Sequence, residues 1–367
     1  MSIPLVDLAA QHAEIAEEVN AGLAALFEAS DFIGGKAVEG FERAYCETLG
    51  VAHCIGVANG TDALELALRA ADIGPGDEVI VPANTFVATV GAVRRAGAMP
   101  VLADVDDGYL LLDQDLALAA ITDRTRAIVP VHLYGQVAPM EELSAATAGT
   151  GIAIIEDAAQ AQGATRNGRP AGSFGIAAGT SFYPGKNLGA YGDAGAVLTV
   201  DSDVARRVRL MRDHGSERKY AHDIVGWNSR LDTLQAIVLQ AKLRRLARWN
   251  EARRAAAARY DVLLAEVPHV RIPATMPGNV PVWHLYVVRV PERDRVLAAL
   301  QAAGIGASIH YPTPIHLTGA YRGLGYGPGS FPVAEAAAEE ILTLPLYPHI
   351  TLAQQEHIAA ELDEALR

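Results

Sequence analysis

From residue 53 to residue 200 the chain repeatedly turns a helix-spaced apolar pattern into a short apolar run, and this alternation restricts the fold more than any single residue does. The runs fall at 53–58, 78–82, 99–103, 126–131, 151–155, 178–182 and 194–200, mostly interrupted by Gly, Pro or Asp. Strands separated by helices imply parallel crossovers, so the pattern predicts an α/β fold with a mostly parallel, mixed sheet covered by helices.

Helical spacing also predicts helices at 12–28, 38–49 and 61–71, with Asn59-Gly60-Thr61 as the turn and cap before the third. A helix at 201–211, a polar aromatic loop at 212–230 and a long Ala/Leu/Arg-rich helix at 232–264 follow. Then come a strand at 282–290, a helix at 292–303, a Gly/Pro/Tyr-rich loop at 305–330 and helices at 332–341 and 351–366. The long helix is the natural carrier between domains, giving a large domain with N-terminal helices at 1–245 and a smaller C-terminal α/β domain at 246–367.

Composition narrows the function classes. At 367 residues, with 50% hydrophobic and 20% charged residues, the chain suits one large or two moderate domains and not broad disorder. Its net charge of −13 opposes nucleic acid and anionic membrane as principal partners. No apolar run reaches the roughly 18 residues of a membrane span. Cys46 and Cys54 form neither a disulfide framework nor a CxxC arrangement, and the amino terminus lacks the pattern of a secretion signal, so a cytoplasmic location is expected. His214 and His284 share no metal-ligand spacing with the cysteines, and neither a Walker nor a dinucleotide-binding fingerprint appears. These absences oppose metal, ATP and nicotinamide chemistry.

The chemistry-bearing stretch runs from EDAAQ at 156–160 to GKNLG at 185–189, where apolar runs end in polar turns of the kind that face a ligand crevice. Only Lys36, Lys186, Lys219 and Lys242 are lysines, against 26 arginines, so ordinary positive charge in this chain is carried by arginine. A primary amine forms an imine with a carbonyl, which a guanidinium does not readily do, and Lys186 is therefore either a nucleophile or a solvated loop residue. Composition alone leaves both open.

The ordered set PLVDLAAQ, VANGTDAL, PANTFVAT, VHLYGQ, EDAAQAQGA, SFYPGKNLGAYGDAG, GWNSRLDTLQA and IHYPTPIH spans nearly the whole chain. In this set the chain resembles the DegT/DnrJ/EryC1/StrS family of pyridoxal-phosphate-dependent nucleotide-sugar aminotransferases, in its 3-keto-6-deoxysugar branch. The resemblance implies a homodimer of fold type I subunits with shared active sites, in which Lys186 holds pyridoxal 5'-phosphate. Related sugar dehydrases carry histidine in place of that lysine, and this chain keeps Lys186.

The same resemblance assigns further roles. Asp157 pairs with the pyridine nitrogen, where the alternative is a helix-capping aspartate; Gln160 orients the phenolic oxygen, the alternative being a surface glutamine. Phe86 stacks on the ring, though an aromatic at such a junction is commonly core. Gly60, Thr61 and Ser181 bind the phosphate, with an ordinary turn and cap as the other reading of the first two. Asn228 reaches a phosphate across the dimer, or else makes an Asx turn. Tyr183, His310 and Tyr311 resemble sugar-facing positions, the last two having a Pro-rich packing loop as their other reading; by charge alone, Arg218, Lys219 and Tyr220, in a basic run with Arg206, Arg207, Arg209 and Arg212, make either an anion site for a nucleotide diphosphate or a solvated basic face. No metal is implied. The implied reaction moves an amino group from L-glutamate to C3 of a dTDP-linked keto-6-deoxyhexose; C4 amination, or cyclitol or aminoshikimate-type chemistry, is the enzymatic alternative, and a cofactor-binding regulator is the competing class.

Overall fold

The structure, a computed structural model, describes residues 2–218 and 220–367. Three helices open the chain, α1 (Leu8–Ala13), α2 (Ala16–Ala29) and α3 (Gly35–Leu49). The α/β part follows as β1 (His53–Val57), α4 (Gly60–Ala70), β2 (Glu78–Pro82), α5 (Val87–Ala96), β3 (Met99–Ala103), α6 (Gln114–Ala119), β4 (Thr125–Ile128), α7 (Met140–Thr147) and β5 (Ala153–Asp157). Two short strands, β6 (Thr165–Arg166) and β7 (Arg169–Pro170), lead to β8 (Ala177–Ser181), β9 (Gly195–Thr199) and α8 (Ser202–Arg212). A small hairpin, β10 (Ser216–Arg218) and β11 (Ala221–His222), precedes the long α9 (Thr233–Leu264). The chain closes with β12 (Asn279–Val280), β13 (Tyr286–Arg289), α10 (Arg293–Ala302), α11 (Pro332–Glu340), β14 (Ile341–Leu344) and α12 (Leu352–Leu366).

Seven strands make one sheet in the order β1-β9-β8-β5-β4-β2-β3. All run parallel except β9, which pairs antiparallel with both β8 and β1. Every residue of β2 and β9 is buried, as expected where helices cover both faces. Helix α4 lies close against β8: a Cβ at Gly179 would meet the Leu64 side chain at 2.8 Å, so the small residue permits the approach. The sequence expectation of a mostly parallel mixed sheet holds. Because the six parallel strands end at one edge, the loops after β1, β2, β4, β5 and β8 converge there.

Several local expectations change. The single helix expected at 12–28 is two, broken at Glu14 and Ile15, where the bend sets Ile15 and Val19 against Val238, Ala241 and Trp249 of α9. The loop expected at 212–230 contains the β10–β11 hairpin. The helix expected at 332–341 stops at Glu340, and Ile341–Leu344 pairs antiparallel with β13. Leu285 and the β13 residues after it alternate between two cores: Leu285 and Val287 join the core under the large sheet, while Tyr286 and Val288 join a second one with Tyr260 of α9 and Ile358 and Leu362 of α12. Alternation across a strand thus lets one short segment seal both compartments. Among the described residues no helix is long and apolar enough to cross a membrane.

Candidate active site

A cavity of about 580 Å³ opens at the carboxyl edge of the parallel strands. Gly60, Thr61, Phe86, Asp157, Gln160, Ser181, Tyr183, Lys186, His310 and Tyr311 all line it. Ten residues spread over 252 positions of sequence are therefore brought to one wall by strand ends and the loops that follow them.

Asp157 closes β5 and is buried. It caps no helix: residues 158–163 form turns, and Asp157 Oδ1 accepts from the Ala159 N–H at 3.1 Å. Its Oδ2 accepts from Thr89 Oγ1 at 2.7 Å, and Thr89 shares a further 2.7 Å hydrogen bond with Thr85. Burial raises the Asp157 pKa, against the lowering effects of Thr89, the Ala159 N–H and the Lys186 charge. A carboxylate so placed is stabilised by a cation brought into the cavity.

Lys186 sits in a tight turn, its own N–H donating to Tyr183 O at 2.8 Å while the Ala190 N–H donates to Phe182 O at 2.7 Å. Gly189 makes the turn possible, since a Cβ there would lie 2.3 Å from Pro184 O. The next residue, Asn187, is clamped by Nδ2 donating to Asn250 Oδ1 at 2.9 Å and to Val282 O at 2.8 Å. Desolvation lowers the Lys186 pKa to about 8, with Asp157 pulling the other way. The residue is partly buried in the cavity wall and not a solvated loop lysine.

Gln160 is buried, not on the surface: its Oε1 accepts from the Tyr134 N–H at 2.7 Å and its Nε2 donates to Tyr311 Oη at 3.1 Å. Phe86 is not core; 48% of it is exposed, and its ring stands 5.2 Å from that of Tyr311. Gly60 and Thr61 begin α4, whose cap Asn59 accepts from the Asp62 N–H at 2.8 Å. A Cβ at Gly60 would meet Ser181 Cβ at 2.6 Å, so the glycine is what brings the helix N-terminus and the Ser181 hydroxyl into one cradle. Backbone N–H groups and a helix dipole favour a phosphate there. His310 bonds Thr343 Oγ1 at 2.9 Å, and burial together with the Lys186 charge lowers its pKa to about 4, leaving a neutral ring in the wall.

The remaining sequence candidates lie elsewhere. Asn228 is exposed, bridged to Asp213 and off the cavity wall of its own chain. Arg218 and Tyr220 lie on the exposed hairpin and also do not line that cavity; Lys219 lies outside the described residues. The arginines of α8 are partly engaged elsewhere, Arg207 with Asp72 at 2.5 Å and Arg212 with Glu42 at 2.6 Å. Sequence reasoning missed Thr85, Thr89 and His284. The first two sit four apart around Phe86 in NTFVAT, a spacing that puts both hydroxyls on one side of a helix entrance. His284, whose Nδ1 lies 3.2 Å from Asn187 Oδ1, carried no spacing signal.

These residues fit pyridoxal phosphate: a buried carboxylate for a ring nitrogen, a depressed lysine for an aldehyde, an exposed aromatic face and a cradle for phosphate. Residues 13–363 match the model of the DegT/DnrJ/EryC1/StrS aminotransferase family. The chain belongs to that family. It is a fold type I, pyridoxal-phosphate-dependent aminotransferase. Among its relatives is the Saccharopolyspora erythraea erythromycin biosynthesis sensory transduction protein EryC1, 46% identical over 365 residues, which are 99% of each chain. The dTDP-3-amino-3,4,6-trideoxy-alpha-D-glucose transaminase of Streptomyces venezuelae is 46% identical over 351 residues, covering 95% of this chain and 92% of its own. The crystal structure of S. venezuelae DesV in complex with a ketimine intermediate superposes with a TM-score of 0.97 at 44% identity, over 100% of this chain and 99% of that one.

Proposed function

We propose that this aminotransferase acts on a nucleotide sugar in deoxysugar biosynthesis, moving the amino group of L-glutamate to C3 of a dTDP-3-keto-6-deoxyhexose. The products are a dTDP-3-amino-3,6-dideoxyhexose and 2-oxoglutarate. The observation that carries the reading is the 46% identity, over nearly the full length of both chains, to a transaminase named for a dTDP-3-amino sugar. The protein acts as a cytoplasmic homodimer in which Asn228 of each chain serves the site of the other, and residues 1–245 and 246–367 form its large and small domains.

Pyridoxal phosphate supplies the carbonyl that takes up an amino group and a ring that accepts the electron pair left when a proton leaves the adjacent carbon. This chain's residues do the rest. Lys186 Nζ, brought toward neutrality by burial, would hold the cofactor and, when free of it, would take the proton from the donor carbon in one half-reaction and give one to the sugar carbon that receives the amine in the other. Asp157, steadied by the Thr89 hydroxyl, would pair with the ring nitrogen and favour its protonated form. Gln160, Phe86 and Ser181 with the α4 N-terminus line the cavity and would hold the phenolic oxygen, one face of the ring and the phosphate respectively. Tyr183, His310 and Tyr311 orient the sugar, while Arg218, Lys219 and Tyr220 meet the nucleotide in the site of the other chain, the one that Asn228 serves.

The test supplies glutamate with matched 3-keto and 4-keto dTDP-6-deoxyhexoses and compares kcat/KM, with the new amine located by NMR. Faster amination at C3 supports the proposal, and faster amination at C4 replaces the regiochemistry while leaving the rest intact. Borohydride trapping of the loaded protein should mark Lys186. A regulatory role is the second reading, favoured by the name of the EryC1 relative. Cofactor binding without turnover of any ketosugar would favour it.

A further inference from the structure

Glu156 and His132 are wholly shielded from solvent, and neither lines the cavity. As neighbours on a strand, Glu156 and Asp157 point to opposite faces, so Asp157 meets the cavity while Glu156 turns into the protein. There Oε1 of Glu156 accepts from the Phe174 N–H at 2.6 Å and the Gly175 N–H at 2.7 Å. Its Oε2 accepts from the Gly172 N–H at 2.7 Å and from His132 Nε2 at 2.8 Å. Nδ1 of His132 accepts from the Ala138 N–H at 3.1 Å, which places the ring proton on Nε2. Both side chains are thus fully matched.

The backbone of the same residues carries the site. The His132 N–H donates to Asp157 O at 3.0 Å, and the Asp157 N–H donates to Pro130 O at 2.9 Å. The turn that His132 opens, Leu133–Gly135, presents the Tyr134 N–H to Gln160 Oε1. We propose that the Glu156–His132 pair positions the cofactor-facing residues, setting Asp157 through β5 and Gln160 through the Leu133–Gly135 turn. A carboxylate with four donors has one low-energy seat, and a rigid ring that donates at one end and accepts at the other transmits that seat to the neighbouring turn. Glutamate has the reach from β5 to the 172–175 loop, which an aspartate lacks. The inference rests on the cofactor reading of Asp157 and Gln160.

The experiment measures the visible pH titration of the cofactor-loaded enzyme, cofactor Kd and steady-state kinetics for Glu156→Gln, His132→Leu and His132→Gln. A displaced Asp157 holds the ring proton less firmly, which removes a nearby positive charge and should raise the titration midpoint by about half a pH unit or more. Turnover should fall about ten- to a hundredfold, as misplacement on the scale of 1 Å does, with the sugar KM held within about twofold. His132→Gln keeps an N–H toward Glu156 and should retain more kcat than His132→Leu, and this ordering carries the test if Glu156→Gln does not fold. A fall in Tm with midpoint, cofactor Kd and kcat all as in the wild type would make the pair merely structural and overturn the proposal. Lys186→Ala separates the two levels: a chromophore that it leaves unchanged defeats the cofactor reading itself.

Discussion

Replacing Gly60 by alanine sets two effects of comparable size against each other. Alanine at the first position of α4 favours the helix by about 0.5–1 kcal/mol over glycine. The added methyl would sit 2.6 Å from Ser181 Cβ and 3.2 Å from Ser181 Cα, and the second of these is backbone that cannot rotate away. Carbon atoms rest at about 3.5–4.0 Å, so β8 and the α4 N-terminus must separate by roughly 1 Å. Overpacking of that kind costs about 1–3 kcal/mol, which the helix gain partly offsets, so the apoenzyme Tm should fall by no more than about 4 °C. The phosphate cradle has no such compensation. A displacement of about 1 Å at a binding group should raise cofactor Kd about tenfold or more. Fluorescence titration of the apoenzyme with pyridoxal phosphate, beside thermal melts, reads both quantities. Gly323→Ala serves as the control, because a Cβ there meets nothing within 4 Å. A Gly60→Ala enzyme with cofactor Kd within twofold of wild type would refute the argument that this glycine shapes the cradle.

Thr89→Val deletes the hydroxyl that donates to Asp157 Oδ2 and should slow the glutamate half-reaction about tenfold, measured by stopped flow. In the apoenzyme the Lys186 pKa is depressed from 10.5 to about 8, so between those values the unfolded chain binds more protons and wild-type stability rises with pH relative to Lys186→Met. Thermal melts of both proteins across that window should show the difference shifting in favour of the wild type as pH increases. Asp104, buried at the end of β3, accepts from the Val333 and Ala334 N–H groups of α11 at 2.9 Å each, and Asp104→Ala should cost about 1–3 kcal/mol by denaturant titration without changing cofactor Kd. Lys186→Ala and Asn228→Ala chains, each inactive alone, should regain activity when exchanged into heterodimers, and demonstrated heterodimers without activity would count against a shared site.

The seven strands of the large sheet were legible because local hydrophobic period reports local structure, whereas the short β6 and β7 were not, and Lys186 stood out because the chain otherwise spends arginine on positive charge. Motif resemblance named Asp157, Gln160 and Ser181 before their surroundings were known. Sequence alone left Phe86 open to a core reading and Gln160 to a surface one, and only the folded chain decided both, since burial is a property of what packs nearby. It also could not show that Glu156 and Asp157 face opposite ways, one to the 172–175 loop and the other to the cavity, or that Thr89 would meet a carboxylate 68 positions away. The break at Ile15 and the strand Ile341–Leu344 escaped the periodic pattern for the same reason: α9 and β13 supply the partners that make those short segments stable, and both partners are distant in sequence. Local propensity decides which elements can form. Long-range burial and hydrogen-bond matching decide where they stop and which of their side chains meet.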